Sequence, residues 1–222
     1  MKPFDLNGIS IALPADMQDG PIAARLKEGR YERAEAQAAR LLIQPGMRVV
    51  EIGAGLGYVS AICASKAGAE NVVSFEANPR MVPVARKTLD LNGFHATPVE
   101  HAAIVGHAHE GEYVSVAAGK HFWGSSLASI AGPHGKRIEV PALRLQDVLT
   151  MVQPDVLIMD VEGAELGYMD TEWPTCLRAV VMERHPKKYG AEGKAAIRKA
   201  MIAAGFRRDP EASADTVTCF RR

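Results

Sequence analysis

The stretch Arg48-Val49-Val50-Glu51-Ile52-Gly53-Ala54-Gly55-Leu56-Gly57 decides the fold: an apolar run holding one acid, then glycine at every second position. Tyr58 to Ala67 follows with helical character and stops at Gly68, so the local order is strand, tight turn, helix. The rhythm then repeats. Asn71 to Phe75 is a second apolar run, Asn78 to Asn92 a second helix closed by Gly93, and Thr97 to Ile104 a third extended run. Strands separated by helices of roughly ten residues cannot pair as hairpins; they pair in parallel through right-handed crossovers.

Outward from this core the pattern changes. Upstream, residues 1–45 form an extension, with a short strand at Ile9 to Pro14 and one helix from Ala23 to Ile43, read from the spacing of Leu26, Tyr31, Ala34, Ala38, Leu41 and Leu42. Downstream, residues 106–141 break the alternation. They hold the alternating run Glu112 to Val116, then Trp123-Gly124-Ser125-Ser126 and Gly132-Pro133-His134-Gly135, an insertion of one or two strands after the third strand. The α/β order resumes with a helix at Leu145 to Val152, strands at Asp155 to Met159 and Ala179 to Met182, a helix at Lys194 to Ala204 and a closing strand at Thr216 to Phe220. The expectation is one domain over residues 1–222, an α/β fold of three layers.

Composition narrows the class of function only a little. Lys+Arg and Asp+Glu balance at 26 each, so net charge advertises neither nucleic acid nor an anionic membrane. Cys63, Cys176 and Cys219 lack the spacing of a zinc or redox pair, no apolar run reaches spanning length and Met1 to Ser10 has no signal-peptide character, which together read as a reduced, cytoplasmic chain. A homodimer stays open.

The glycine turn carries the first chemistry. Ligands of open α/β sheets sit beyond the carboxyl ends of the strands, where Gly53, Gly55 and Gly57 let backbone approach. A dinucleotide fingerprint is G-x-G-x-x-G, whereas this loop is G-x-G-x-G with Tyr58 at the next position. A carboxylate at Glu51 would oppose a pyrophosphate but suits the ammonium of S-adenosylmethionine (SAM). Glu76, at the next strand end beside Ala77 and Asn78, can accept from ribose hydroxyls; read structurally, it is a solvated strand end. Glu100-His101-Ala102-Ala103 is the candidate adenine wall, with His101 equally readable as a surface histidine.

The second motif is Asp160-Val161-Glu162-Gly163-Ala164-Glu165. Asp160 and Glu162, two apart on an extended segment, would project to one side, while Glu165 reads as a cap of the following helix. Together with Tyr31-Glu32, Glu51 to Gly57, Phe75-Glu76-Ala77-Asn78-Pro79 and Met182-Glu183-Arg184-His185-Pro186, this run resembles the FkbM-type SAM-dependent methyltransferases over about residues 30 to 186. The chain has Glu51 where that family commonly has Asp. The resemblance implies a Rossmann-like class I methyltransferase fold with a mostly parallel seven-stranded sheet, SAM as cofactor, and methyl transfer usually to a hydroxyl oxygen of a sugar or natural product. Tyr31 and Glu32 then belong to the cofactor side.

Strand four lacks the Asn/Asp-Pro-Pro-aromatic ending of enzymes that methylate base amino groups, and strand five lacks an Asp-Asn pair that would hold a metal. An oxygen acceptor on a small molecule is therefore expected, without a metal, a nucleic acid or a membrane. An alcohol needs a base, for which His185 and Asp160 are candidates, with Glu183 or Glu162 orienting it. Before a Pro186-Lys187-Lys188 turn, His185 also reads as a surface residue. Two alternatives stand beside this reading: a SAM- or nucleoside-binding module without catalysis, and a methyltransferase acting on a protein or a nitrogen. Trp123 reads as a substrate-stacking ring or an anchor of the insertion.

Overall fold

The computed structural model describes residues 2–118, 126–127 and 136–222. Strands β1 (Lys2–Leu6) and β2 (Ile9–Leu13) lead into helices α1 (Pro21–Lys27) and α2 (Arg33–Leu42), then β3 (Val49–Ile52), α3 (Tyr58–Ala67), β4 (Val72–Glu76), α4 (Val82–Leu91) and β5 (Val99–His101). After these come β6 (Ala103–Val105), β7 (Tyr113–Ala118), β8 (Ser126–Leu127), β9 (Lys136–Arg144) and α5 (Leu145–Val152). The chain finishes with β10 (Val156–Met159), β11 (Ala179–Glu183), α6 (Pro186–Ala203), β12 (Arg207–Ala214) and β13 (Val217–Arg221).

Seven strands form the main sheet in the order β12-β13-β11-β10-β3-β4-β5. Pairings among β11, β10, β3, β4 and β5 are all parallel, and β13 runs antiparallel between β11 and β12. Side chains alternate across this sheet because the strand period is two. Val49, Val156, Ile158 and Val181 face a core built with α2, α3, α4 and the β1-β2 hairpin. Val50, Leu157, Met159 and Met182 face a second core with α5 and α6. Three layers result, as expected from alternating elements.

Strand order reverses at β3: from there the chain steps outward to β4 and β5 on one side, and later to β10 and β11 on the other. The crevice at such a switch point is where ligands bind in this architecture. The approach is close. Gly53, at φ +94°, passes so near the end of β10 that an added Cβ would collide with the Asp160 carbonyl oxygen.

Several elements differ from the sequence expectations. The helix expected over Ala23 to Ile43 is two helices, because the chain turns through Gly29 (φ +66°) and Glu32 (φ +42°) before α2 begins. This break places Tyr31 and Glu32 at the mouth of the crevice instead of on a helix face. The extended run Thr97 to Ile104 divides at Ala102: β5 ends the main sheet, and β6 opens a second sheet of order β6-β9-β7-β8. The expected insertion is thus a sheet of its own, and β9 carries it past residue 141 to Arg144. Residues 78–81 are a turn, with Asn78 Oδ1 accepting the Arg80 N–H (3.0 Å), so α4 starts only at Val82. The last helix begins earlier than expected, at Pro186, with Gly190 at φ +70° interrupting it. The Trp123 assignment lies outside the described residues.

Candidate active site

The turn after β3 is organised by Glu76. Its Oε2 accepts the Gly55 N–H (2.8 Å) and its Oε1 accepts the Asn78 N–H (2.7 Å), so one carboxylate ties the ends of β3 and β4 together. Glu76 is 8% exposed, and burial raises its pKa against the lowering effect of these N–H groups. Each carboxylate oxygen has a further lone pair beyond these bonds. A slot of about 110 Å³ opens beside it, lined by Gly53, Gly55, Glu76, Ala77 and Ala102, and by Tyr31 and Glu32 across the opening.

A second cavity, of about 650 Å³, adjoins the slot. Tyr31, Glu32, Asp160 and Glu162 line both, so they form the shared wall. Beyond that wall the cavity is bounded by Glu35, Glu183 and His185.

His185 is the centre of the polar network. Its Nδ1 lies 2.7 Å from Oε1 of Glu165, which is fully buried. Its Nε2 points toward Glu162 (3.5 Å), Asp160 (3.7 Å) and Glu183 (3.9 Å). The backbone helps to hold the ring in place: the His185 N–H donates to the Tyr189 hydroxyl (2.9 Å). Burial alone would lower the imidazole pKa, but the Glu165 hydrogen bond and the charges of Glu165, Glu162 and Glu183 outweigh it and raise the value. Asp160 is pushed well above the carboxylate range by burial, by Glu183, Glu162 and Glu32 nearby, and by a hydrogen bond with Glu183 that retains its proton. One Asp160 oxygen, Oδ1, is buried without a hydrogen-bond partner among the described residues.

Asp160 and Glu162 do converge on one point, though not as neighbours on an extended segment. β10 ends at Met159, and the chain turns through Glu162 (φ +50°) and Gly163 (φ +105°). The turn continues into a 3₁₀ segment, Ala164–Tyr168, fixed to β6 by the Tyr168 hydroxyl donating to the Ile104 carbonyl (2.9 Å). Glu165 is carried inward by that segment. As expected it stands in the first turn, its Oε1 accepting the Gly163 N–H (3.2 Å), but the same oxygen also meets His185, and neither Glu183 nor Glu162 holds the inner ring nitrogen.

Other expected site residues fall elsewhere. Glu51 shares the parity of Val49 and so points beneath α3, 2% exposed, where the Ser60 and Ser74 (2.5 Å) hydroxyls donate to its Oε2. It does not line the slot, and burial pushes its pKa up to about 7. Gly57 serves packing: at φ +79° it lets α3 pass α4, and a Cβ there would lie 2.8 Å from the Ala85 carbonyl oxygen. Asn78 is buried in the turn below Glu76, and His101 is not among the residues lining the slot, its Nε2 unpartnered among the described residues, while its neighbour Ala102 lines it. Glu35, 7% exposed on α2, was not singled out by motif. A signal existed, because it stands in the buried stripe of Ala34, Ala38, Ala39 and Leu42 where an apolar residue belongs.

The slot fits SAM by its donor set. Glu76 offers acceptor sites for ribose hydroxyls, Gly55 leaves free a space that a Cβ would bring to 3.3 Å from the Glu32 carboxylate and the Tyr31 hydroxyl, and the orphaned Asp160 Oδ1 with Glu32 suits a sulfonium or ammonium. Asp160, Glu183 and His185 also bring donor atoms within 4.8 Å of one another, a spacing open to a divalent cation.

A seven-stranded sheet in this order, with its one antiparallel strand second from the edge and a nucleoside-type slot at the switch point, defines a class I SAM-dependent methyltransferase. The chain belongs to the FkbM methyltransferase family, whose domain profile matches residues 51–208. Among solved structures it is similar to a putative transferase from Pyrococcus horikoshii (13% identity, 99% of this chain and 70% of that one, TM-score 0.51), which supports the fold. It also matches TYW2 of P. horikoshii in complex with MeSAdo (14%, 98% and 68%, 0.49). A SAM-dependent O-methyltransferase from Thermotoga maritima matches as well (15%, 90% and 70%, 0.48). No curated protein matches in sequence. No helix among the described residues is long and apolar enough to cross a membrane.

Proposed function

We propose that this enzyme methylates a hydroxyl oxygen of a small molecule bound in the 650 Å³ cavity, with His185 as the base. One observation carries the reading. The buried Glu165 holds Nδ1 of His185 at 2.7 Å, which leaves Nε2 facing the cavity on the side it shares with the cofactor slot. Slot residues that would hold SAM are Glu76, Ala77, Ala102 and Gly55, with Glu32 and Asp160 toward the cationic end. SAM supplies the electrophilic methyl group.

The protein then has two tasks, alignment and management of one proton. In the neutral imidazole, Nδ1–H donates to Glu165 and Nε2 presents a lone pair. Transfer of the methyl from bound SAM to the acceptor oxygen would break the sulfur–carbon bond and leave S-adenosylhomocysteine, while Nε2 takes the hydroxyl proton and the Glu165 carboxylate stabilises the resulting imidazolium. Asp160 and Glu162 form the wall between the two sites and position the reacting partners.

The test is transfer of labelled methyl from SAM to a panel of hydroxylated small molecules, with the product's methyl position assigned by NMR. O-methyl products that disappear in His185→Ala, with SAM affinity retained, support the reading. N-methyl products, or labelled protein in a lysate and no labelled small molecule, would move the acceptor to the alternative classes.

A further inference from the structure

The cavity beside His185 is charged in a way that an ordinary sugar does not explain. Its inner wall carries Glu32, Glu35, Asp160, Glu162 and Glu183, against a single imidazole. The arginines that also line it, Arg25, Arg30 and Arg33, are exposed at the rim. Arg30 pairs with Glu28, and Arg33 with Asp215 (3.2 Å), so two of the three are already neutralised.

SAM would bring one net positive charge to the shared wall, opposite Glu32 and Asp160. Glu35 and Glu183 lie on the acceptor side, where His185 is shared between them and the other carboxylates of the wall. Glu183 has the Thr216 hydroxyl (2.8 Å). Glu35 has only its own backbone N–H among the described residues, although it is 7% exposed and lines the cavity. Burial, with the nearby Glu183 and Asp215, holds its pKa up at about 7 against the lowering effects of its own N–H and of His185. A buried acid whose one hydrogen-bond donor is its own N–H is costly unless a ligand supplies a further partner.

We infer that the acceptor is a hydroxylated amine whose ammonium group docks against Glu35 and Glu183 while a neighbouring hydroxyl meets His185 Nε2. This rests on the O-methylation reading and narrows it: the specificity for a cationic acceptor comes from α2 and the end of β11, not from the cofactor turn. A charge-assisted contact of this kind gives about ten- to hundredfold in affinity over a neutral counterpart.

The experiment titrates matched pairs into protein saturated with S-adenosylhomocysteine, using calorimetry. Glucosamine is compared with N-acetylglucosamine, and kanamycin with its fully N-acetylated form. The amine-bearing member is expected to bind about tenfold tighter or better, with an advantage that shrinks as salt rises. In Glu35→Gln the advantage should fall to about threefold or less, while S-adenosylhomocysteine affinity stays. If that variant does not fold, the salt dependence of the wild-type protein still decides. Equal binding within every pair, tighter binding of the acetylated members, or no binding by either overturns the inference. O-methylation of neutral alcohols in preference to amino alcohols would also overturn it and leave the proposed function standing. Methyl found on the amine nitrogen would instead refute the O-methylation reading while the cationic docking survives.

Discussion

Replacing Glu165 by Gln isolates the contribution of one buried charge to the candidate base. Gln keeps the shape of the side chain and an oxygen able to accept from Nδ1, but removes the negative charge 2.7 Å from the ring. A charge-assisted hydrogen bond is worth about 1.5–3 kcal/mol and a neutral one about 0.5–1.5 kcal/mol. The difference, roughly 1–1.5 kcal/mol, corresponds to about one pH unit at about 1.4 kcal/mol per unit. Both partners are shielded from water, with His185 16% and Glu165 0% exposed at the side chain, so solvent screens little of this. In the wild type, Glu165 is the leading influence raising the His185 pKa above its ordinary value. A ¹⁵N-detected NMR titration of the histidine side chains reads the effect without any acceptor, and His185→Gln assigns the resonance among the seven histidines. The His185 titration should move down by about one pH unit or more in Glu165→Gln, and the fixed Nδ1–H tautomer should become mixed. Methyl transfer should then fall even though the base is deprotonated over a wider pH range, because part of the population carries its proton on Nε2. An unchanged or raised titration midpoint would refute the role given to Glu165.

Three further outcomes are expected. Glu51 binds its proton more tightly in the folded state, up to about 7, so its contribution to stability is present below the unfolded value and is lost as pH rises through about 7; Glu51→Gln should therefore gain roughly 2–3 kcal/mol on the wild type between mildly acidic and mildly alkaline denaturant melts, and parallel pH profiles would contradict this. Gly57→Ala forces a Cβ to within 2.8 Å of the Ala85 carbonyl oxygen at positive φ, which should lower Tm by about 5 °C or more; an unchanged melting curve would show that α3 and α4 separate freely. Chelation with EDTA should leave turnover unchanged, since Nε2 of His185 cannot hold a cation and take a proton together; loss of activity restored by Mn²⁺ would instead place a cation on Asp160, Glu183 and His185.

The main sheet was legible because its strands are short apolar runs punctuated by glycine, and Tyr58–Ala67 and Leu145–Val152 form helices with the bounds that spacing suggests. What was missed has identifiable causes. The edge strand β12 contains Asp209, Pro210 and Glu211 and has one buried residue, Ala212, so it carries no apolar alternation to read. The β1-β2 hairpin does carry a local signal, Asn7-Gly8 with both residues at positive φ, flanked by strand-forming residues. The hairpin's importance is tertiary: Ala12 N–H donates to Thr88 Oγ1 (3.0 Å) on α4, 76 residues away.

At the site, motif positions located the carboxylates but not their orientations. The glycine motif alone points Glu51 at the ligand. Counting strand parity from Val49 puts it under α3, and Ser60 and Ser74 meet it there. The cap role of Glu165 is legible from its place two residues after Gly163, whose N–H it accepts; its second role is not, because it depends on the 3₁₀ turn carrying the side chain inward to His185. The split between α1 and α2 has a trace in the sequence, since Leu26 to Tyr31 is a step of five residues with Gly29 inside it, but periodicity does not place Tyr31 and Glu32 over the slot.

The most direct check on the cofactor site is calorimetric titration of SAM into the wild-type protein and Glu76→Ala, with NAD as control. Wild type should bind SAM at one site and show no heat with NAD, and loss of the Glu76 carboxylate should weaken SAM about tenfold or more, as expected for a charged group that holds Gly55 and Asn78 and faces the slot. No binding of SAM by the wild type, or full affinity in Glu76→Ala, would contradict the placement of the cofactor at the end of β3.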